Sequence, residues 1–98
     1  MPKYTVRVEL NDDPKAIINL DHIMRQSGFS KYIESKTGDV YSLPTGEYNF
    51  DGELNSADLL EKTKAVASTI SDDFSVLITL SEVRKWYNLK MHRVPKIR

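Results

Sequence analysis

Apolar and polar residues alternate in two runs of the chain, one near each end. The apolar positions of the first run are Tyr4, Val6, Val8 and Leu10. Those of the second run are Phe74, Val76, Ile78 and Leu80. A period of two places one row of side chains in a core and the other toward solvent, so both runs are predicted to be β-strands.

Two other segments repeat apolar residues every three or four positions, which predicts amphipathic helices. The first helix is expected to begin at Pro14, after the capping residues 11–13, and to end at Gly28. Its apolar positions are Ile17, Leu20, Ile23 and Met24. The second helix is predicted over residues 55–68, which open with the capping pair Asn-Ser.

Between the helices, the sequence predicts short strands that reverse direction. Aromatic and β-branched residues favour strands over residues 29–36, 40–43 and 47–54. Pro44 cannot donate to a strand ladder, and Gly46 suits a turn, so the chain is expected to reverse between the last two segments.

The order of these elements is strand, helix, two strands with an extra hairpin, helix, strand. This βαββαβ order predicts an α+β fold of the ferredoxin-like class, an antiparallel four-stranded sheet with two helices on one face. Residues 1–82 would form this domain, and residues 83–98 a basic, aromatic C-terminal extension. Within the extension, residues 83–89 fit either a short helix or an edge strand.

Composition and charge narrow the class of protein. The chain has 98 residues, which suits one domain, and it contains no cysteine, which excludes disulfides and thiolate metal sites. No continuous apolar run indicates a signal peptide or a membrane span, so a cytoplasmic protein that does not contact membranes is expected. Eight basic and 14 acidic residues give residues 1–83 a net charge of −6, and six basic residues give residues 84–98 a charge of +6.

Three local motifs resemble a known family. They are Leu20-Asp21-His22-Ile23-Met24 with Gly28-Phe29-Ser30, then Tyr41-Ser42-Leu43-Pro44-Thr45-Gly46-Glu47-Tyr48, and finally Phe74-Ser75-Val76-Leu77-Ile78-Thr79. In this order they resemble the bacterial GhoS-like antitoxins of type V toxin–antitoxin systems, over roughly residues 2–79. The resemblance implies a ferredoxin-like domain similar to the nuclease subunit of CRISPR adaptation complexes, acting as a sequence-selective endoribonuclease on a toxin mRNA. The family's arginine on the first helix corresponds to Asp21 here, and Arg25 follows one turn later.

Metal-independent RNA cleavage requires a base, an acid and a cation beside the phosphate. Histidine is the residue type whose side chain changes charge nearest to neutral pH, and His22 lies three residues before Arg25, so the two are candidate catalytic residues on one helix face. The simpler interpretation is a pair of solvent-facing side chains opposite the apolar stripe.

Asp12 is a candidate magnesium ligand, because hard cations prefer oxygen ligands and the related CRISPR nucleases resemble this chain in placing an acidic residue after the first strand. The alternative is an ordinary helix cap, for which no cofactor is needed.

The C-terminal extension interleaves basic and aromatic residues. The candidate RNA-binding residues are Arg84, Lys85, Trp86, Tyr87, Lys90 and Arg93. Such a pattern is typical of segments that hold single-stranded RNA by phosphate contacts and base stacking. Equally, Trp86 and Leu89 could dock on the sheet or on a second subunit. A further stacking platform of Tyr41, Tyr48 and Phe50 is less favoured than core packing of the same residues.

Two hypotheses of function follow. The first is a GhoS-like protein directed at single-stranded RNA, either as an endoribonuclease or as a binder without cleavage. The second is a non-enzymatic interaction module in which a terminal strand over residues 83–89 pairs with a partner or completes a homodimer.

Overall fold

The computed structural model describes residues 2–92, which form five strands and two α-helices. The strands are β1 (Lys3–Leu10), β2 (Tyr32–Glu34), β3 (Val40–Ser42), β4 (Glu47–Asp51) and β5 (Phe74–Leu80). The helices are α1 (Ile17–Gln26), preceded by a 3-10 turn (Pro14–Ala16), and α2 (Ser56–Ala67). The α+β class is confirmed. No helix within residues 2–92 is both long and apolar enough to cross a membrane.

The strands form two antiparallel sheets. The larger has the order β4-β1-β5, and β2 and β3 form a separate hairpin. Val6 of β1 lies opposite Tyr48 of β4 on one side and Ile78 of β5 on the other. The strand therefore has a neighbour on both edges. Its burial of every second side chain shows in addition that one face of the sheet is covered.

The predicted single four-stranded sheet is wrong, because the described part of the chain contributes three strands to the main sheet. Ser30 does pair with Asn49 of β4, and the two residues exchange backbone hydrogen bonds of 2.8 and 2.7 Å. One residue later, the carbonyl of Lys31 accepts instead from the backbone N–H of Leu43, at 2.8 Å. The chain thus leaves β4 after a single bridge and continues into the hairpin.

Both helices cover the same face of the main sheet. The inward side chains of β1 form one cluster with Leu20 and Met24 of α1 and with Leu59 and Ala67 of α2. Tyr48 is completely buried in this cluster, and Phe50 packs against it. These two aromatic residues therefore belong to the core and do not form the stacking platform considered from the sequence.

The helix ends follow the capping residues. The side chain of Asn55 accepts a 2.8 Å hydrogen bond from the backbone N–H of Asp58, and Asp13 accepts one from Lys15. These bonds satisfy backbone donors that have no partner inside a helix. The first helix ends at Gln26, close to the predicted Gly28, which has a φ of +95°.

Residues 83–92, called the tail below, run back over the hairpin. Residues 83–89 are neither the short helix nor the edge strand considered from the sequence. The tail reaches β3 instead, where Ser42 donates its N–H to the carbonyl of Lys90 and His92 donates to Val40, both at 2.8 Å. Met91 and Tyr41 form an isolated antiparallel bridge between these bonds.

Candidate functional site

The tail crosses the face of the main sheet that the helices leave uncovered. Because Tyr4 points into the core, the next residue, Thr5, points to the opposite face, as does Asn49 of β4. The guanidinium of Arg84 donates to the side-chain oxygen of Asn49 at 2.7 Å and to the carbonyl of Tyr4 at 3.2 Å. Arg84 therefore ties the start of the tail to two strands.

Two open clefts share the segment from Arg84 to Trp86 as a wall. The larger, of about 710 Å³, is called the tail cleft below. Its lining residues are Lys3, Tyr32, Ile33, Glu34, Ser35, Lys36, Asn49, Asp51, Ser81, Glu82, Arg84, Lys85 and Trp86. Four cations and three carboxylates thus share this cleft with two aromatic side chains. The smaller cleft, of about 370 Å³, is more apolar and includes Leu43, Pro44 and Leu89.

The aromatic side chains of the tail pack against the hairpin. Trp86 contacts Tyr41, with ring centroids 5.5 Å apart and planes inclined by 54°. His92 lies on Tyr32, with centroids 4.3 Å apart. Trp86 nevertheless keeps 36% of its surface exposed, so it contacts the hairpin and also presents surface to solvent at the clefts.

The six RNA-binding candidates of the extension occupy different positions. Arg84 is half-buried and hydrogen-bonded, whereas Lys85 and Trp86 line both clefts. Tyr87 is 93% exposed and lines neither cleft. Lys90 is exposed and contributes its carbonyl to the tail–β3 pairing, and Arg93 lies outside the described residues.

Burial lowers the pKa of Arg84, and the nearby Asp51 carboxylate opposes this effect. A guanidinium remains charged throughout the ordinary pH range, so the shift does not remove its charge. Arg84 therefore acts first as an anchor for the tail, and Lys85 is the more available cation.

His22 and Arg25 are exposed on α1. Within residues 2–92, neither side chain makes a hydrogen bond or ion pair, and neither lines a cleft described above. Because α1 covers the opposite face of the sheet, the structure does not bring this pair to the tail cleft.

Asp12 connects two loops at one end of the sheet. Its carboxylate accepts a hydrogen bond from the buried hydroxyl of Ser71, in the loop between α2 and β5. This hydrogen bond lowers the pKa of Asp12. No group of three or more acidic, histidine or cysteine side chains is arranged to hold a metal anywhere in residues 2–92.

Comparison with known proteins adds no family assignment. The chain matches no protein-family model, and no curated protein is significantly similar to it in sequence. The resemblance to GhoS-like antitoxins therefore depends on the three motifs. The structure places them in α1 and the turn after it, across β3 and the start of β4, and in β5.

A partly buried polar cluster that sequence reasoning missed lies between α1 and β4. The buried hydroxyl of Tyr48 donates a hydrogen bond to the carboxylate of Asp21 on α1. The ammonium of Lys31 lies 4.9 Å from the centre of the Tyr48 ring and donates to the carbonyls of Pro44 and Glu47, at 3.0 and 3.2 Å. Asp21 is half-buried, so this cluster joins α1, the turn after it and β4.

Two pKa values in this cluster move in opposite directions. Burial raises the pKa of Tyr48, and the hydrogen bond to Asp21 and the charge of Asp21 raise it further. Burial lowers the pKa of Lys31, against the attraction of Asp21 and Glu47. Both observations indicate a structural cluster, since the phenol is held neutral and its ring is not accessible.

Replacing Tyr48 with phenylalanine should cost about 1–2 kcal/mol of unfolding free energy at neutral pH, because the hydrogen bond to a carboxylate is lost. The cost should shrink in alkali. Above the unfolded-state pKa of about 10, the unfolded tyrosine releases its proton while the folded one keeps it, so wild-type stability falls with pH by up to about 1.4 kcal/mol per unit. Urea unfolding from about pH 8 to about pH 11 measures both effects.

The lowered pKa of Lys31 acts in the opposite direction, because the folded protein then binds fewer protons than the unfolded chain as the pH approaches the ordinary lysine value. This effect of Lys31 is present in both wild type and Tyr48→Phe. It therefore largely cancels from the difference between their free energies of unfolding. A difference between wild type and Tyr48→Phe that stays constant over this range would contradict the assignment of the buried hydroxyl.

Proposed function

We propose that this protein binds single-stranded RNA in the tail cleft. The observation that carries the proposal is the position of Trp86, which packs on Tyr41, keeps 36% of its surface exposed and lines, with Lys85, an open cleft on the uncovered sheet face. Exposed aromatic rings bind single-stranded bases by stacking, and neighbouring cations bind the phosphates.

The charges of the cleft suit a strand that follows its rim. Lys3, Lys36 and Lys85 line the same cleft as Trp86, which offers phosphate contacts on several sides of a stacked base. The cleft is also lined by three carboxylates, which reduce its positive electrostatic potential: Glu34, Asp51 and Glu82. Moderate, salt-sensitive binding is therefore expected, because part of the attraction to phosphate is cancelled.

The strand order supports a ferredoxin-like variant as the scaffold. In a βαββαβ domain with right-handed crossovers, the first strand lies between the third and fourth strands, and the second lies at the edge. Here β1 lies between β4 and β5, and the Ser30 bridge lies outside β4. We infer that the second strand is reduced to this bridge and that the β2–β3 hairpin replaces its remainder.

The biological role that fits both the cleft and the three motifs is that of a GhoS-like antitoxin acting on a toxin mRNA in the cytoplasm. Binding at the tail cleft is the part of this proposal that rests on geometry. Cleavage by His22 and Arg25 rests on the resemblance and on their exposure on α1, and a magnesium ion at Asp12 would need ligands from the RNA or from water.

Fluorescence anisotropy with a labelled AU-rich single-stranded RNA tests the binding proposal. Lys85→Ala should weaken binding and make the logarithmic salt dependence shallower by about 0.7, the value for one phosphate contact on a single strand. Lys15→Ala removes a cation that lies outside the cleft and should change neither quantity. Equal effects of the two substitutions, or no binding by wild type at low salt, would refute the proposal.

The same mixtures, separated on a denaturing gel, test cleavage. Products that disappear with His22→Ala and persist with a chelator would assign an endoribonuclease activity to α1. Products that require magnesium and disappear with Asp12→Asn would assign it to Asp12. Intact RNA under all conditions would leave binding as the activity and exclude both sets of candidate catalytic residues.

A further inference from the structure

Among residues 2–92, the outer edge of β5 is an unpaired row of backbone hydrogen-bonding groups. Ser81 donates to the carbonyl of Lys3 at 2.8 Å, and Asn11 donates to the carbonyl of Asp73 at 2.9 Å. In an antiparallel pair, hydrogen-bonded residues alternate with residues whose N–H and C=O point the other way. The groups that point away from β1 therefore belong to Phe74, Val76, Ile78 and Leu80. No segment within residues 2–92 pairs with them.

In the part of the chain that the structure describes, this edge lacks the features that protect edge strands from other chains. Natural edges are usually shielded by charged side chains, proline, a bulge or a covering segment. The β5 sequence, FSVLITL, contains no charged residue and no proline over seven residues. The edge of β4 is different, because the Ser30 bridge and the Lys31 ammonium cover it.

Apolar side chains remain exposed along β5 and just beyond it. Leu77 is 62% exposed on the uncovered face, and Leu80 and Val83 are 55% and 77% exposed. An exposed apolar edge strand is a template for pairing with another strand. The outer edge of β5 therefore suits pairing with an extended, uncharged segment.

We propose that β5 pairs with β5 of a second copy of this chain, in antiparallel orientation about a two-fold axis at Leu77. This register places Val76 opposite Ile78 and Phe74 opposite Leu80, so that all four outward-pointing residues form hydrogen bonds. The hydroxyl residues Ser75 and Thr79 then face each other on the uncovered side, and the two Leu77 side chains meet. A second copy suits this edge because the register pairs apolar residues with apolar residues and hydroxyl residues with hydroxyl residues. No charged side chain of either β5 strand opposes the pairing.

The two main sheets would then join into one six-stranded antiparallel sheet. A two-fold axis perpendicular to the sheet keeps the helices of both copies on one side and both uncovered faces on the other. This inference goes beyond the proposed RNA binding and does not depend on it, since it concerns a different edge of the sheet.

The chain has no cysteine, so Leu77→Cys introduces a single thiol at the two-fold axis. In the proposed register the two Leu77 residues form a non-hydrogen-bonded pair, with Cα atoms about 4.5 Å apart, which is within the range for a disulfide. Mild oxidation should therefore convert this variant to a covalent dimer. The matched control is Ile18→Cys, because Ile18 is 76% exposed on α1. It should stay monomeric under the same conditions.

Sedimentation of the unmodified chain provides the second readout. Wild type should sediment as a dimer at high concentration, and Leu77→Lys should sediment as a monomer with an unchanged circular dichroism spectrum, because it places two like charges together on an exposed site. Ile18→Lys should leave the dimer intact. A monomeric wild type, or equal cross-linking of the two cysteine variants, would overturn the proposal.

Discussion

Substituting alanine for Gly46 is expected to destabilise the protein by about 3 kcal/mol, the sum of a left-handed backbone cost and a steric clash. Gly46 has a φ of +83°, and a Cβ atom there would lie 2.8 Å from the carbonyl oxygen of Val8. That oxygen belongs to the central strand of the main sheet, and the N–H of Val8 donates to the carbonyl of Gly46 at 2.8 Å. The clash therefore cannot be relieved by a side-chain rotation.

Gly38→Ala is the matched control for this effect. Gly38 has a nearly identical φ of +87°, but an added Cβ would meet only the flexible carboxylate of Glu34, at 3.8 Å. Its cost should be about 1–2 kcal/mol, from the backbone conformation alone. Urea unfolding of both variants measures the difference. Equal losses of stability would show that the turn before β4 does not approach β1 as described.

Alanine at Trp86 is expected to reduce the affinity for single-stranded RNA by about 5- to 150-fold, because one base loses its stacking partner, worth about 1–3 kcal/mol. Trp86 is the aromatic residue of the extension that lines the tail cleft. The tail should stay in place, since the bonds of Arg84 to Asn49 and Tyr4 and the pairing of Lys90 and His92 with β3 do not involve the indole.

Tyr87→Ala is the matched control for Trp86→Ala. The two residues are adjacent aromatics, but Tyr87 lines neither cleft, so its loss should change the affinity less than twofold, within the range of neutral surface substitutions. Trp86→Phe should recover part of the affinity, because it keeps an aromatic face. A larger loss with Tyr87→Ala than with Trp86→Ala would place the RNA on the outer side of the tail.

The elements with a clear period could be predicted from the sequence. β1, β5 and both helices lie close to their predicted positions, because each has a face that must be buried against the others. The hairpin could not be anticipated in the same way. Residues 29–36 are apolar enough for a strand, but their partner changes from Asn49 to Leu43 within two residues, and that change depends on tertiary contacts.

The candidate site was only partly accessible to sequence reasoning. The sequence pattern of the C-terminal extension identified Lys85 and Trp86, because basic and aromatic residues are interleaved in that segment. It could not separate them from Arg84, whose guanidinium is held by Asn49, or from Tyr87, which faces outward. Lys3 and Lys36 reach the same cleft from distant parts of the chain, and only the packing of the tail on the sheet brings them together.

The proposed β5 dimer would bring two of the proposed RNA-binding clefts onto one surface. A β5 pair would place two tail clefts on the same side of a continuous sheet, with the two-fold axis between them. Each cleft includes Ser81, which directly follows β5, so a single RNA strand long enough to cross the axis would contact both copies. Such a strand should bind more tightly than a short one, through the increase in effective concentration that two linked sites provide.

The central claim, that RNA stacks on the tail cleft, is tested most directly by the fluorescence of Trp86, because the chain contains a single tryptophan. Titration with unlabelled single-stranded RNA should quench this emission in a saturable manner, and added salt should restore it as phosphate contacts are lost. The account predicts that the midpoint of quenching matches the dissociation constant from anisotropy. Emission that stays unchanged at RNA concentrations that saturate the anisotropy would contradict it.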